Sequence, residues 1–154
     1  MTIEPRLNYW GAAPELMQAV LALNTAIESG SIEKSLQHLV KMRASQINGC
    51  AYCCDMHARE ARKEGETEQR LYVLSAWHDS FLYSDRERAA FAWTEAVTKL
   101  GADTPTDALY AATSAHFSDK EIADLTALIT MIYTWNRFAI SFRTLHAKDE
   151  AAAA

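Results

Sequence analysis

The sequence lacks any apolar run of about 18 residues, the length at which a stretch becomes a candidate membrane-spanning helix. It also lacks a basic N-terminal region followed by a long apolar segment, so no secretory leader is predicted. An excess of positive charge is missing too, because the net charge of the 154 residues is -5. This balance disfavours nucleic acid and anionic membranes as partners. We therefore expect a soluble, cytoplasmic protein.

No segment alternates apolar and polar residues with the period of two that a half-buried strand requires. No low-complexity linker, change of composition or internal repeat divides the chain. The 154 residues are enough to bury one proper hydrophobic core. The sequence therefore predicts a single all-α domain over residues 1–150, followed by an alanine tail at 151–154 that carries no functional weight.

Apolar residues at helical spacing, together with flanking caps, predict about seven helices. The segments are 15–28, 31–48, 50–64, 67–77, 84–101, one that begins at 104, and 118–146. The predicted N-terminal residues are Ser31, Thr67, Ser84, Thr104 and Ser118, with capping boxes at Ser84-x-x-Glu87 and Ser118-x-x-Glu121 and a proline after Thr104.

The last predicted helix is apolar on more than one face, and Trp135 and Phe138 add to its apolar surface. One small domain can cover only one face of such a helix, so we expect the rest to form a subunit interface. Two arginines, Arg43 and Arg137, fall in apolar surroundings on predicted helices. We expect structural ion pairs for both, because a buried guanidinium needs a partner.

All three cysteines of the chain, Cys50, Cys53 and Cys54, lie within five positions, and His57 follows four residues after Cys53. An Asn-Gly pair ends the preceding helix, so Cys50-x-x-Cys53 opens the next one. At about 100° per residue, Cys50, Cys53 and His57 fall within an arc of about 60°. Cys53 and His57 are also i,i+4 neighbours whose side chains can touch.

This spacing suits thiol chemistry. The reactive species is the thiolate, and the free N–H groups of a first helical turn stabilise an anion there. An imidazole one turn further along can take the thiol proton. Two cysteines at i,i+3 are close enough to form a disulfide with little backbone movement. The stretch from Cys50 to His57 therefore contains a nucleophile, a partner thiol and a base.

The faces of a regular helix from residue 50 distinguish the other two cysteines. Cys54 falls in the middle of the apolar arc, where a free cysteine behaves as a small hydrophobic residue. Cys53 falls at the edge of that arc, nearer to solvent or to a pocket wall. The pattern favours Cys53 as the residue that meets a substrate and Cys54 as a core residue.

A metal site is the main competing interpretation. Cys50, Cys53 and His57 offer three soft ligands, and another helix could supply a fourth. Zinc ligand pairs usually lie on a knuckle or turn, however, and a second Cys/His pair is missing from the sequence. Redox chemistry without a metal or bound cofactor is the preferred interpretation.

The run from Ser45 to His57, SQINGCAYCCDMH, resembles the AhpD-like alkylhydroperoxidase branch of the carboxymuconolactone decarboxylase superfamily. The segments LVKMR at 39–43 and WNRFAI at 135–140 are similar to that family as well. The resemblance covers roughly residues 15–146. It implies an all-helical AhpD-like domain that assembles as a homotrimer or homohexamer, with the long C-terminal helix at the interface.

The resemblance also implies the roles of the site residues. Cys53 would attack the peroxide, Cys50 would be the resolving thiol, and His57 would match the relay histidine. The family often has a glutamate twelve residues before the first cysteine, where this chain has His38. His38 can pass a proton but lacks the negative charge, and periodicity equally favours a surface position for it. Tyr52 stands where well-known members have a histidine, and we expect it to pack.

The implied activity is antioxidant reduction of an organic hydroperoxide or hydrogen peroxide, with an external dithiol protein, such as one of the lipoyl type, as reductant. Two alternatives stay open. One is a dithiol/disulfide oxidoreductase or redox sensor without peroxidase activity. The other is a metal-stabilised helical interaction protein.

Overall fold

The described part of the chain consists of helices and connecting segments, with no β-strand in residues 3–101 or 104–148, the ranges that this computed structural model describes. The α-helices in these ranges are α1 (Tyr9–Ala12), α2 (Pro14–Glu28), α3 (Lys34–Asn48), α4 (Ala51–Lys63), α5 (Glu68–Val73), α6 (Asp85–Thr98), α7 (Asp107–Ser114) and α8 (Asp119–Phe142). A 3₁₀ helix, Leu74–Asp79, follows α5. The all-α prediction is confirmed, and the predicted tail at 151–154 lies outside the described residues.

Both predicted capping boxes are present. The Ser84 and Ser118 hydroxyls each accept a hydrogen bond from the backbone three residues on, and Glu87 and Glu121 reach back to the cap N–H groups. Each box satisfies two N–H groups that a helix start otherwise leaves without partners. Thr67 also caps as predicted, through a bond from the Arg70 N–H.

Two predicted caps are wrong. Helix α3 starts at Lys34 with Glu33 as its N-cap, so Ser31 precedes the helix instead of capping it. The Ser31 N–H and hydroxyl both donate to Asp124 Oδ2, at 2.7 and 2.6 Å, which ties the α2–α3 loop to α8. In the same way Thr106, and not Thr104, caps α7. The Ser31 hydroxyl bonds to Asp124 instead of to a helix N–H group. At α7, the threonine two residues after Thr104 is the cap.

Several helix ends also differ from the prediction. Helix α8 ends at Phe142, where Arg143 takes a left-handed conformation (φ 54°), instead of continuing to residue 146. Helix α6 ends at Thr98, three residues before the glycine expected to stop it. The segment 67–77 changes from α to 3₁₀ geometry after Val73. Helix α1, with only four residues, is too short to show a periodic pattern and was not predicted.

Helix α3 is the central element, since it packs against α4, α6 and α8. Its apolar residues Leu36, Leu39 and Val40 are almost completely buried. The core continues through Phe91 of α6, whose ring makes edge contacts with the rings of Trp77 and Tyr83. Because α3 is covered on several sides, polar residues between its apolar positions are buried as well.

A tight connection between α3 and α4 places the cysteine motif. Gly49 has φ 71°, the left-handed region in which glycine is favoured, and it ends α3. The Asn48 side chain donates to Asn136 Oδ1 at 2.8 Å, and Asn136 donates to the Ser45 hydroxyl at 3.0 Å. These bonds hold the end of α3, directly before the cysteine motif, against the C-terminal part of α8.

The two arginines behave differently. Arg43 forms the expected ion pair, with Glu95 Oε1 2.8 Å from its Nη2. The expectation for Arg137 is wrong within the described residues, where its guanidinium lies over the Tyr133 ring at 3.3 Å and bonds to the Tyr133 hydroxyl. This aromatic partner substitutes for a carboxylate because Arg137 is exposed and needs no buried counter-charge. None of the described helices is both long and apolar enough to cross a membrane.

Candidate active site

Cys50 and Cys53 are joined by a disulfide at the start of α4. Cys50 is the N-cap residue, and its sulfur accepts a hydrogen bond from the Cys53 N–H at 3.3 Å. Each cysteine is 1% exposed. The sequence places both sulfurs here because the glycine turn ends α3 and the next helix begins within one residue. The pair therefore lies in the first turn of α4, where N–H groups have no partner within the helix.

The structure distinguishes the predictions for Cys53 and Cys54. Cys53 lines a cavity wall, one of the two positions expected for it, and is buried there. Cys54 is only half-buried and is a free thiol, so it is not a core residue. Cys50 has extended backbone angles (φ -90°, ψ 95°). Cys50 therefore precedes the helix, and the positions predicted around the helix axis, which took Cys50 as its first helical residue, do not apply to it. Burial raises the pKa of the Cys54 thiol, which keeps it protonated near neutral pH.

His57 lies one turn after Cys53 on α4 and is 4% exposed. Its Nδ1 is 3.0 Å from Oε2 of Glu60. Burial lowers the pKa of His57, and the hydrogen bond to Glu60 opposes that shift in part. The imidazole is therefore neutral near pH 7. With the proton on Nδ1 shared with Glu60, Nε2 carries the free lone pair, and this buried atom has no hydrogen-bond partner among the described residues.

Glu60 was missed by the sequence reasoning, although a signal was present. It follows His57 by three residues, a spacing at which helical side chains meet. The hydrogen bond from His57 lowers the pKa of Glu60, so the carboxylate stays ionised. The family resemblance implies a carboxylate twelve residues before Cys50, on α3, whereas the acid that contacts His57 lies on α4.

His38 is buried, at 7% exposed, so the surface position considered for it is wrong. Helix α3 is packed against several neighbours and buries this face too. His38 Nε2 is 3.0 Å from Glu64 Oε2, which is ion-pair distance. The geometry is not that of a hydrogen bond, and both ring nitrogens are without a hydrogen-bond partner among the described residues.

A buried lysine is the second feature that sequence reasoning missed. Lys41 of α3 pairs with the Glu28 carboxylate of α2. Burial alone would raise the pKa of Glu28, but the bond to Lys41 and its charge hold that pKa below the ordinary value. The Lys41 charge also lowers the pKa of His57. Glu28 and Lys41 are 13 positions apart in sequence and lie on different helices from His57. No local sequence pattern therefore links the pair to His57.

A cavity of about 290 Å³ opens beside Cys53 and His57. Helix α8 contributes an apolar wall and α4 a mixed one. The lining residues are Tyr9 and Trp10 of α1; Leu21, Asn24 and Glu28 of α2; Lys41 of α3; Tyr52, Cys53, Met56, His57 and Glu60 of α4; and Leu128, Met131, Ile132, Trp135 and Ala139 of α8. The Trp10 ring stacks on Trp135 at 5.9 Å, so the short first helix contributes to this site. Tyr52, expected only to pack, also lines the cavity.

Cys53 and His57 therefore face one cavity, while Cys50 lies behind Cys53 in the disulfide. His38 does not line this cavity. It lies on the other side of Glu60, in a second cavity that Glu60 and Lys41 also line. The arrangement combines two thiols that can be joined or separate, a neutral imidazole with a carboxylate behind it, and space for a small organic molecule.

Comparison with known proteins gives the same assignment. Residues 14–96 match the model of the carboxymuconolactone decarboxylase family. The uncharacterized protein YdfG of Bacillus subtilis (strain 168) is 39% identical, over 88% of this chain and 92% of its own. A crystal structure of a protein of unknown function from Agrobacterium tumefaciens superimposes on this chain with a TM-score of 0.91, and the two sequences are 44% identical. That protein is described as a candidate antioxidant defence protein AhpD. The match covers 95% of this chain and 100% of that one.

The debrominase Bmp8 has a similar fold, with a TM-score of 0.80 at 20% identity, over 89% of this chain and 74% of its own. At that identity the likeness concerns the fold alone. The family model, the relatives and the all-helical fold agree, and the chain belongs to the carboxymuconolactone decarboxylase family, with an AhpD-like structure.

Proposed function

We propose that this protein is a thiol-dependent hydroperoxide reductase in which Cys53 attacks the peroxide and Cys50 resolves the product. The observation that supports it most directly is the Cys50–Cys53 pair, with Cys53 in the wall of the cavity that His57 also lines. The cysteine motif alone would fit many dithiol proteins. The cavity adds a place for a substrate beside one sulfur and beside a base.

The first step is removal of the Cys53 proton. In the reduced protein, His57 Nε2 is the acceptor, since Nδ1 is held by Glu60. The first-turn N–H groups of α4 stabilise the thiolate, as they stabilise any anion at a helix start. Glu60 offsets part of the positive charge that the imidazole acquires. Because His57 is buried and Glu60 is partly so, their interaction is stronger than it would be in water.

The thiolate then attacks the terminal peroxide oxygen, and the O–O bond breaks. Cys53 becomes a sulfenic acid, and the leaving alkoxide takes the proton from His57 to give an alcohol, or water when hydrogen peroxide is the substrate. The Cys50 thiol attacks the sulfenic sulfur, water leaves, and the disulfide forms. Two thiols are oxidised for each peroxide reduced. An external dithiol restores them, and we propose a lipoyl-type protein for this step.

The cavity favours an organic hydroperoxide. Its α8 wall is apolar, with Leu128, Met131 and Ile132, and its volume of about 290 Å³ exceeds the space that hydrogen peroxide needs. Apolar contact with such a wall is worth about 25 cal/mol per Å² of buried surface. We propose that substrates with an alkyl or aryl group bind more tightly than hydrogen peroxide for this reason.

We also propose a homotrimer or homohexamer. Leu16, Leu21 and Leu23 of α2 and Ile140 of α8 are large apolar residues with about half of their surface exposed. A subunit contact over these helices would cover them. Sedimentation velocity on the purified chain should give three or six subunits, and a monomer would contradict this part of the proposal.

Peroxide consumption with dihydrolipoamide as reductant tests the activity. We expect turnover in the wild type, loss of turnover in Cys53→Ser, and no lasting effect of Cys54→Ser, which is the matched control. Cys50→Ser should still form one sulfenic acid, which dimedone traps, but it should not form the disulfide. Unchanged turnover in Cys53→Ser would reject the assignment. Rapid oxidation by a disulfide substrate, without reaction with peroxide, would favour a dithiol oxidoreductase instead.

A further inference from the structure

Three donor side chains of α3 and α4 converge behind the cavity that Cys53 lines. His38, His57 and Glu60 each place one ligand atom so that all three atoms lie within 4.8 Å of one another. Both histidines are more than nine-tenths buried, and Glu60 is partly exposed. The two residues on α4 are one turn apart, and the third comes from the neighbouring helix.

Three of the four histidine nitrogens of this cluster have no hydrogen-bond partner among the described residues. His57 Nε2 and both His38 ring nitrogens are buried without a hydrogen bond among the described residues. A buried polar atom left in that state costs about 1–3 kcal/mol, and most such atoms in folded proteins have a partner. The cluster therefore has unused capacity to bind a group that accepts nitrogen lone pairs.

We propose that His38, His57 and Glu60 form a site for a divalent transition-metal ion of the zinc type. Two imidazoles and one carboxylate are a ligand set that holds Zn²⁺ with a fourth position open. Tetrahedral ligands at about 2.0–2.1 Å from the metal are about 3.4 Å apart. The donors must therefore approach each other by about 1.4 Å at most. Glu60 can supply much of this movement, since its side chain is 45% exposed.

A second cavity, of about 250 Å³, gives access to the cluster from outside. Its charged lining is close to neutral, with the lysines Lys34, Lys41 and Lys63 against the glutamates Glu28, Glu60 and Glu64. The Lys41 ammonium, the lysine whose charge acts on His57, is paired with Glu28. Glu64, which is 3.0 Å from His38, can serve as a further ligand or as the partner that orients the His38 ring.

Metal binding at this site excludes the base role of His57, an inference that rests on the proposed function. If the metal binds Nε2, it occupies the lone pair that would accept the Cys53 proton. If it binds Nδ1, the single proton of the neutral ring moves to Nε2, which can then no longer accept one. In either case zinc inhibits the peroxide reaction without touching a cysteine sulfur.

The binding test uses the full-length protein in its disulfide form, with Cys54→Ser as background, so that no thiol can ligate the probe. Co²⁺ is added and its visible d–d absorption is followed, and Zn²⁺ is then titrated to displace it. We expect one ion per chain. The variants His38→Gln and Glu60→Gln should each weaken binding at least about tenfold. His116→Gln, which changes an exposed histidine outside the proposed ligand set, is the matched control and should bind as the parent does.

Circular dichroism of each variant checks that weaker binding does not reflect unfolding, and the half-exposed Glu60 makes Glu60→Gln the safer of the two. Absence of the d–d band in the parent would overturn the proposal. So would binding by His38→Gln and Glu60→Gln that is as tight as binding by the parent. The outcome is separate from the proposed activity, because the assay contains no peroxide. Metal binding without peroxidase activity would support the metal site and reject the proposed function. Peroxidase activity without metal binding would support the function and reject the metal site.

Discussion

His57 Nδ1 and Glu60 Oε2 are 3.0 Å apart, one turn from each other on α4. This contact places the ring proton on Nδ1 and leaves the Nε2 lone pair free for the base role that we propose. Glu60 is a carboxylate from α4 itself. The family resemblance implies a carboxylate on α3 instead, at the position where this chain has His38. The proton chemistry proposed for Cys53 depends on this pair more than on any residue of α3.

Replacing Glu60 by glutamine should slow the reaction of the reduced protein with hydroperoxide. Glutamine keeps the size of the side chain but neither holds the ring proton as strongly nor balances the imidazolium charge. We expect a loss of roughly 10- to 100-fold in the second-order rate constant, less than the roughly 100- to 10,000-fold contribution of a general base, because Glu60 acts on His57 and not on the thiol. Stopped-flow measurement of thiol oxidation would show it. Glu64→Gln, which changes a carboxylate near His38 instead, is the comparison, and an equal loss there would contradict a special role for Glu60.

The acid side of the pH–rate profile should move in opposite directions in two variants. Glu60 raises the pKa of His57 and the Lys41 charge lowers it, so Glu60→Gln should shift the acid limb to lower pH and Lys41→Met to higher pH. The rate falls below that pKa because protonated His57 cannot accept the thiol proton. A double variant, Lys41→Met with Glu28→Gln, removes the ion pair without leaving an unpaired carboxylate. Shifts of the same sign in both single variants would show that the base is another group.

Asp124 should stabilise the fold in a pH-dependent way. Hydrogen bonds from Lys120 and from Ser31 lower the pKa of Asp124 from 3.8 to about 2. Because the folded-state pKa is the lower one, the contribution is present above about pH 4 and is lost as the pH falls through 2. We expect Asp124→Asn to lower the free energy of unfolding at pH 7 by about 1 kcal/mol, since the site is near the surface. Urea denaturation, with exposed Asp79→Asn as control, measures this.

Two phenylalanines provide a test of the core. Phe91 is completely buried, whereas Phe81 is 91% exposed. Phe91→Ala leaves a cavity among the aromatic neighbours of α6 and should cost about 3–5 kcal/mol. Phe81→Ala should change stability by no more than about 0.5 kcal/mol. Comparable losses from the two substitutions in denaturant melts would contradict the packing described for α6.

The fold could be predicted from the sequence where local signals were sufficient. The capping boxes at Ser84 and Ser118, and the glycine turn before Cys50, are decided by neighbours within a few residues. Ser31 failed as a cap because Asp124, 93 residues away, takes its hydroxyl. A bond between distant segments leaves no local sequence pattern, so the first residue of α3 could not be predicted.

The candidate site divides in the same way. Cys50, Cys53 and His57 are close in sequence and could be named from spacing. Glu60 could have been named by the same rule. The burial of His38 and the Lys41–Glu28 pair follow from the packing of α3 against other helices, which periodicity on one helix does not reveal. The cavity depends on α1, a helix too short to predict.

The most direct test of the central claim is a single-turnover experiment. The fully reduced protein is mixed with one equivalent of an organic hydroperoxide, free thiols are alkylated, and peptides are identified by mass spectrometry. We predict that Cys50 and Cys53 become linked to each other while Cys54 is alkylated, with one alcohol formed per disulfide. Alkylation of all three cysteines, with the hydroperoxide unchanged, would contradict the account.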